Sequence, residues 1–112
     1  MAEPTHAERL EHMLLAIDDI ETQTAGLTRE AFKQDRFRRL GIERCIEIIS
    51  EASRKVPEHL KAAHPEIPWP RVADIGNRIR HAYHAVDSDI LWEIIQIELK
   101  VLRAALESMA KV

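Results

Sequence analysis

The apolar residues of this chain fall into repeats of three and four positions, the spacing that gives an α-helix one buried face. Leu10, Met13, Leu14, Ile17 and Ile20 follow it first, and Thr5 with Glu8 reads as a capping box, so a helix is predicted over about 6–24. Gly26 and Thr28 punctuate the chain, and Thr28 to Lys33 reads as a short helical turn that carries Phe32 toward the core. Asp35 suits the N-cap of a long helix over about 36–55, with Phe37, Leu40, Cys45, Ile48, Ile49 and Ala52 as its buried stripe. Pro57 opens a brief helix over about 56–63. The prolines of His64-Pro-Glu-Ile-Pro-Trp-Pro70 then stop helix formation. Val72, Ile75, Ile79, Ala82 and Tyr83 restore the helical period over about 70–85, and Asp87 caps a final helix over about 88–110.

That last helix carries two apolar lines. Ile90, Ile94, Ile97 and Val101 form one, and Leu91, Ile95, Leu99, Leu102 and Leu106 the other. An apolar face this wide exceeds what one core needs, which predicts a second copy packed against it as a homodimer. Four long helices make the expected fold all-α, an antiparallel up-and-down four-helix bundle in a single domain over 1–112.

Composition narrows the function classes. At 112 residues, 46% hydrophobic and 31% charged with three Gly and five Pro, the chain is too short for a two-domain enzyme and too apolar for disorder. Lysine and arginine total 16 against 19 aspartates and glutamates, a net charge of −3. This argues against coating nucleic acid or anionic membrane by bulk electrostatics, so any RNA contact must be local. The first residues lack a signal-like basic and apolar pattern, and no apolar run approaches a membrane span, so a soluble cytoplasmic protein is expected. Cys45, the one cysteine, reads as a buried core residue.

No glycine-rich phosphate loop, zinc motif or nucleophile elbow occurs, and no metal or organic cofactor is expected. The unusual stretch is Asp74 to His84. At 100° per residue Asp74, Asn77, Arg80, His81 and His84 share about 120° of the helix, opposite Val72, Ile75 and Ile79, with Arg71 and Arg78 on the flank. Such a face has the groups that metal-free RNA cleavage uses. An imidazole titrates near neutral pH and can take the proton of a 2′-OH or return one to the leaving 5′ oxygen, while a guanidinium holds the phosphate. A solvated polar face is the plain alternative. His6, His12, His59 and His64 are scattered, and Trp69 and Trp92 read as packing anchors.

From about Arg9 to Leu106 the chain resembles the HepT-like branch of the HEPN superfamily. The resemblance is carried by Glu11-His-Met13, Leu27 to Phe32, Ile48-Ile-Ser-Glu-Ala52, His64 to Trp69, Asn77 to Tyr83 and Val86 to Trp92. It implies a dimeric four-helix fold and an endoribonuclease toxin paired with a minimal nucleotidyltransferase antitoxin. The family motif is arginine, four residues, histidine, any residue, tyrosine. Its histidine falls on His81, its tyrosine on Tyr83, and the asparagine after its arginine on Asn77. The arginine would fall on position 76, which is Gly76. Arg80, Arg78 or Arg71, or a cation contributed by a partner subunit across the dimer interface, are then left to supply the charge, and glycine loosens a helix by up to about 1 kcal/mol.

The resemblance makes Tyr83 the residue to which the antitoxin would attach AMP. An ideal helix places it about 160° from His81, so a shared site needs the helix to end near Ala82 or a partner chain to close the gap. Glu51 is a further polar candidate beside a site histidine or arginine. Two functions are carried forward. One is a ribonuclease toxin with His81 as general acid or base. The other is a non-cleaving HEPN dimer that binds a nucleotidyltransferase or a nucleotide.

Overall fold

The computed structural model describes residues 2–81 and 87–111, and the described residues contain helices and no strand. The elements are α1 (His6–Thr24), α2 (Arg29–Gln34), α3 (Arg36–Ser53), α4 (Glu58–Ala62), α5 (Trp69–His81), α6 (Ser88–Glu93), a π-helical stretch (Ile94–Glu98) and α7 (Leu99–Ala110). The last three run on as one continuous helix. No helix among the described residues is long and apolar enough to cross a membrane.

Local chemistry sets the helix starts. The Thr5 hydroxyl accepts from the Glu8 amide at 3.1 Å, the Thr28 hydroxyl from the Ala31 amide at 3.1 Å, and Asp35 Oδ1 from the Arg38 amide at 3.0 Å. Asp87 accepts from the Asp89 amide at 2.8 Å. The Thr5 hydroxyl also donates to Glu8 Oε1 at 3.2 Å, so the carboxylate answers the hydroxyl. Gly26 turns the chain after α1 with φ of +76°, a conformation that costs glycine little. The predicted boundaries hold for α1. The helix over 36–55 ends at Ser53, and the brief helix over 56–63 contracts to α4, because Val56 and Pro57 adopt turn and cap positions. The predicted 70–85 helix begins at Trp69 and is described to His81; its remainder lies outside the described residues.

Three antiparallel pairings organise the long segments. α1 lies against α3, with Arg38 donating to the Gln23 carbonyl near one end and His12 beside Arg44 and Ile48 farther along. α1 also lies against α7, where Arg103 reaches Asp18 at 2.5 Å and Glu21 at 2.9 Å. α3 lies against α5, with Ser50 and Arg54 meeting Ala73 and Ser50 meeting Gly76. Met13, Ile17, Ile20, Phe32, Leu91 and Leu106 are completely buried where these faces meet. Each such side chain contributes about 1.5–3 kcal/mol by leaving water. The Phe32 and Trp92 rings lie 5.2 Å apart, and the buried Trp69 indole donates to the carbonyls of Lys61 and His64, so both tryptophans pack as expected.

The stripe predicted for α3 needs correction. Phe37 and Leu40 are exposed, Cys45, Ile48 and Ala52 are half-buried, and of that set only Ile49 is buried. The buried line is Ile42, Ile46, Ile49, Ser50 and Ser53. Phe37 and Leu40 project from the opposite side of the helix, since apolar residues occur around most of the circumference of α3. The half-buried Cys45 thiol has its pKa raised by burial and by the nearby Asp19 charge. Along the last helix Leu91, Ile95, Leu99, Leu102 and Leu106 are all buried. The companion line is mixed, with Ile90, Ile97 and Val101 exposed and Ile94 buried.

α5 and the last helix do not close tightly on each other. Arg71 bridges them to Glu98 at 2.8 Å, over an apolar groove of about 250 Å³. Ile75, Ile94, Ile97, Leu99 and Val101 are among its lining residues. The exposed Ile97 and Val101 thus continue an apolar surface that opens to solvent.

Candidate functional site

α5 separates an apolar side from a polar one, as the pattern predicts. Ile79 is buried, Val72 and Ile75 are half-buried, and Asp74, Arg78, Arg80 and His81 are exposed. On the polar side Asn77 acts as a hub. Its side-chain oxygen accepts from Arg80 Nη2 at 2.9 Å, and its backbone oxygen lies 2.8 Å from His81 Nδ1. A carbonyl can only accept, so His81 Nδ1 carries the proton and donates. In the neutral ring Nε2 is then bare, with its lone pair available to a substrate hydroxyl. These bonds span three and four positions of one helix, so α5 orients the imidazole and the guanidinium without help from another element.

The other predicted cations have partners. Arg78 pairs with Asp74 at 3.1 Å one turn earlier, and Arg71 with Glu98 on the π-helical stretch. Arg80 has no carboxylate partner among the described residues and holds only its bond to Asn77. Glu51 is not brought to this face. It lies beside Glu3, Arg9, His12, Arg44 and Lys55 in a shallow groove between α1 and α3 to which α5 contributes nothing. Tyr83 and His84 lie outside the described residues.

The sequence pattern did not single out Ser50. Its hydroxyl donates to the Ala73 carbonyl at 2.9 Å and accepts from the Gly76 amide at 3.1 Å, and Arg54 Nη2 adds a second bond to Ala73 at 2.8 Å. Gly76 is buried at this crossing. A Cβ built on it would fall 2.6 Å from both the Cβ and the hydroxyl oxygen of Ser50. Position 76 therefore faces α3, and the glycine is what lets the two helices approach. A glycine inside an otherwise regular helical pattern was the available signal.

One face of α5 thus carries a histidine, an amide and a guanidinium that has no carboxylate partner among the described residues. The sequence profile described as "Ribonuclease HepT-like" matches residues 13–109. The chain is 35% identical over 107 residues to "Probable ribonuclease HepT" of Thermococcus cleftensis, covering 96% of this chain and 97% of that protein. It is 28% identical to a "Putative RNase" of Methanocaldococcus jannaschii, over 85% of this chain and 78% of the relative. A protein of the same description from Caldanaerobacter subterraneus is 30% identical over 83% of each chain. No solved structure matches the chain. The chain belongs to the HepT-like ribonuclease family.

Proposed function

We propose that this protein is a metal-independent endoribonuclease that uses His81 as its proton-transfer group. The observation that carries the reading is the bond from His81 Nδ1 to the Asn77 carbonyl, which leaves Nε2 as a base in the neutral ring. Nε2 takes the proton of a 2′-OH, the 2′ oxygen bonds to phosphorus, and the bond to the 5′ oxygen breaks. The leaving oxygen takes its proton from water. Arg80, tethered to Asn77 and free of a carboxylate partner among the described residues, replaces the family's missing arginine as the phosphate clamp. Asn77 orients both groups, and Arg78 and Arg71 are secondary because Asp74 and Glu98 already hold them.

The family places such a ribonuclease opposite a nucleotidyltransferase antitoxin, with Tyr83 as the site of AMP attachment and the cytoplasm as the setting. The four long segments form a HEPN-type four-helix bundle, and the exposed Ile90, Ile97 and Val101 line is its homodimer contact. Cleavage of cellular RNA in EDTA, lost in His81→Ala and sharply reduced in Arg80→Ala, is the expected result. The products should carry 2′,3′-cyclic phosphate ends. Full cleavage by His81→Ala refutes the mechanism.

Gly76 favours a second reading, a HEPN dimer that docks a nucleotidyltransferase or nucleotide without cleaving. No RNA cleavage by protein shown by mass spectrometry to be unmodified at Tyr83, together with a stable complex with the transferase, would select it.

A further inference from the structure

The first half of α3 presents a surface stripe that the fold does not use. Arg36, Phe37, Leu40, Gly41 and Arg44 are all exposed, and at 100° per residue they lie within an arc of about 140°. Phe37 is 88% exposed. Gly41 follows one turn later, and a Cβ built on it meets nothing within 4 Å. Its φ is not positive either, so neither packing nor backbone conformation asks for glycine there. What glycine provides is bare backbone beside the phenyl ring, onto which a flat ligand can settle.

The stripe carries two arginines, and the acids Glu43 and Glu47 stand at its edge. Arg36 has no carboxylate partner among the described residues, and Arg44 has only Glu47, at 3.7 Å. On the adjoining α2, Arg29 and Lys33 share one carboxylate, Asp89, at 3.6 Å each. The stripe itself contains no acid. An aromatic face with an arginine at each end fits a polyanion with exposed flat groups better than it fits an apolar protein surface. Because α5 runs antiparallel to α3 from the Ser50 and Gly76 crossing, its last described turn lies level with the middle of α3, near Cys45 to Ile48. The backbone at His81 is then about 15 Å from that at Phe37, from helical rise and ordinary interhelical spacing.

We propose that Phe37 and the bare Gly41 backbone form a stacking platform for an unpaired base of single-stranded RNA, with Arg36 and Arg44 holding the adjacent phosphates. The choice of RNA rests on the ribonuclease reading. A duplex keeps its base faces stacked and cannot use the platform, so the platform selects a single strand.

The test is fluorescence anisotropy with a fluorescein-labelled 2′-O-methyl RNA strand, which lacks the reactive 2′-OH, and with its duplex. The wild-type protein should bind the strand more tightly than the duplex. Phe37→Ala should weaken strand binding roughly 5- to 150-fold, the range for losing one stacked base, and Phe37→Trp should retain it. Arg36→Ala should weaken binding and reduce its salt slope by about one. Gly41→Ala should raise Tm yet loosen the strand, two changes that a purely structural role would not combine. Wild-type binding by both Phe37→Ala and Gly41→Ala overturns the proposal, as does a smaller assembly mass for Phe37→Ala, which would mark a protein contact.

Cleavage separates this platform from the ribonuclease reading. Phe37→Ala should raise KM and leave kcat near wild type, whereas His81→Ala should stop cleavage with strand binding intact. Phe37-dependent binding without cleavage by the wild type keeps the platform and refutes the nuclease. Cleavage indifferent to Phe37 does the reverse.

Discussion

Gly76→Ala tests the close approach of α3 and α5. The added methyl would fall 2.6 Å from Ser50 Cβ and Oγ, while carbon atoms in good contact lie about 3.5–4.0 Å apart. α3 and α5 must therefore separate by about 1 Å, or one of them must bend. Overpacking of this kind costs about 1–3 kcal/mol, and alanine recovers up to about 1 kcal/mol of helix propensity. A net loss of about 1–2 kcal/mol follows, or roughly 4–8 °C in Tm for a chain of this size. Urea and thermal unfolding followed by circular dichroism at fixed protein concentration measure it. Ser50→Ala should not rescue Gly76→Ala, because the offending Cβ remains. Ser50→Gly should rescue it in part, giving a favourable coupling of about 1 kcal/mol or more in a double-mutant cycle. If Gly76→Ala is as stable as the wild type or more so, the tight crossing is refuted. Gly76→Arg, which restores the family motif in sequence, should fail to fold normally for the same reason.

Two further predictions concern charge and assembly. The Asp35 pKa is lowered by the hydrogen bond from the Arg38 side chain and then by that from the Arg38 amide. Its stabilising charge is complete above the unfolded-state value, near 3.9, and is lost as pH falls through the lower folded value. Asp35→Asn should thus be less stable than the wild type at about pH 5, with the gap narrowing toward about pH 2 in urea midpoints; a gap independent of pH contradicts the assignment. Ile97→Lys with Val101→Lys should reduce the mass seen by sedimentation from dimer to monomer, and an unchanged mass would exclude that surface as the dimer contact.

The helix starts were legible because their causes are local: Thr5, Thr28, Asp35 and Asp87 each bond an amide two or three residues ahead. The polar side of α5 was legible for the same reason, since Asn77, Arg80 and His81 meet within one helix. The facing of α3 was not. Phe37, Leu40, Ile42, Ile46 and Ile49 encircle much of that helix, and only the positions of α1 and α5 decide which of them are covered. Ser50 was missed because a hydroxyl at a helix crossing has no periodic signature. Gly76 read as the loss of an arginine, whereas in the fold its missing side chain is what admits Ser50. The π-helical stretch likewise has no counterpart in the spacing of Ile94 to Leu99.

The pair of bonds that Ser50 makes to Ala73 and Gly76 also sets a fulcrum. α5 is fastened to α3 there, while toward the last helix it meets an open groove, so its freest motion is a tilt about that point. His81 lies five residues beyond Gly76, a lever arm of about 7.5 Å at 1.5 Å per residue. A tilt of about 10° would then carry the helix backbone at His81 through about 1.3 Å, whereas the Trp69 end is held by its buried indole and its bonds to Lys61 and His64. Since displacement of about 1 Å can cost a hundredfold in rate, how firmly Ser50 holds the crossing bears directly on where the imidazole stands.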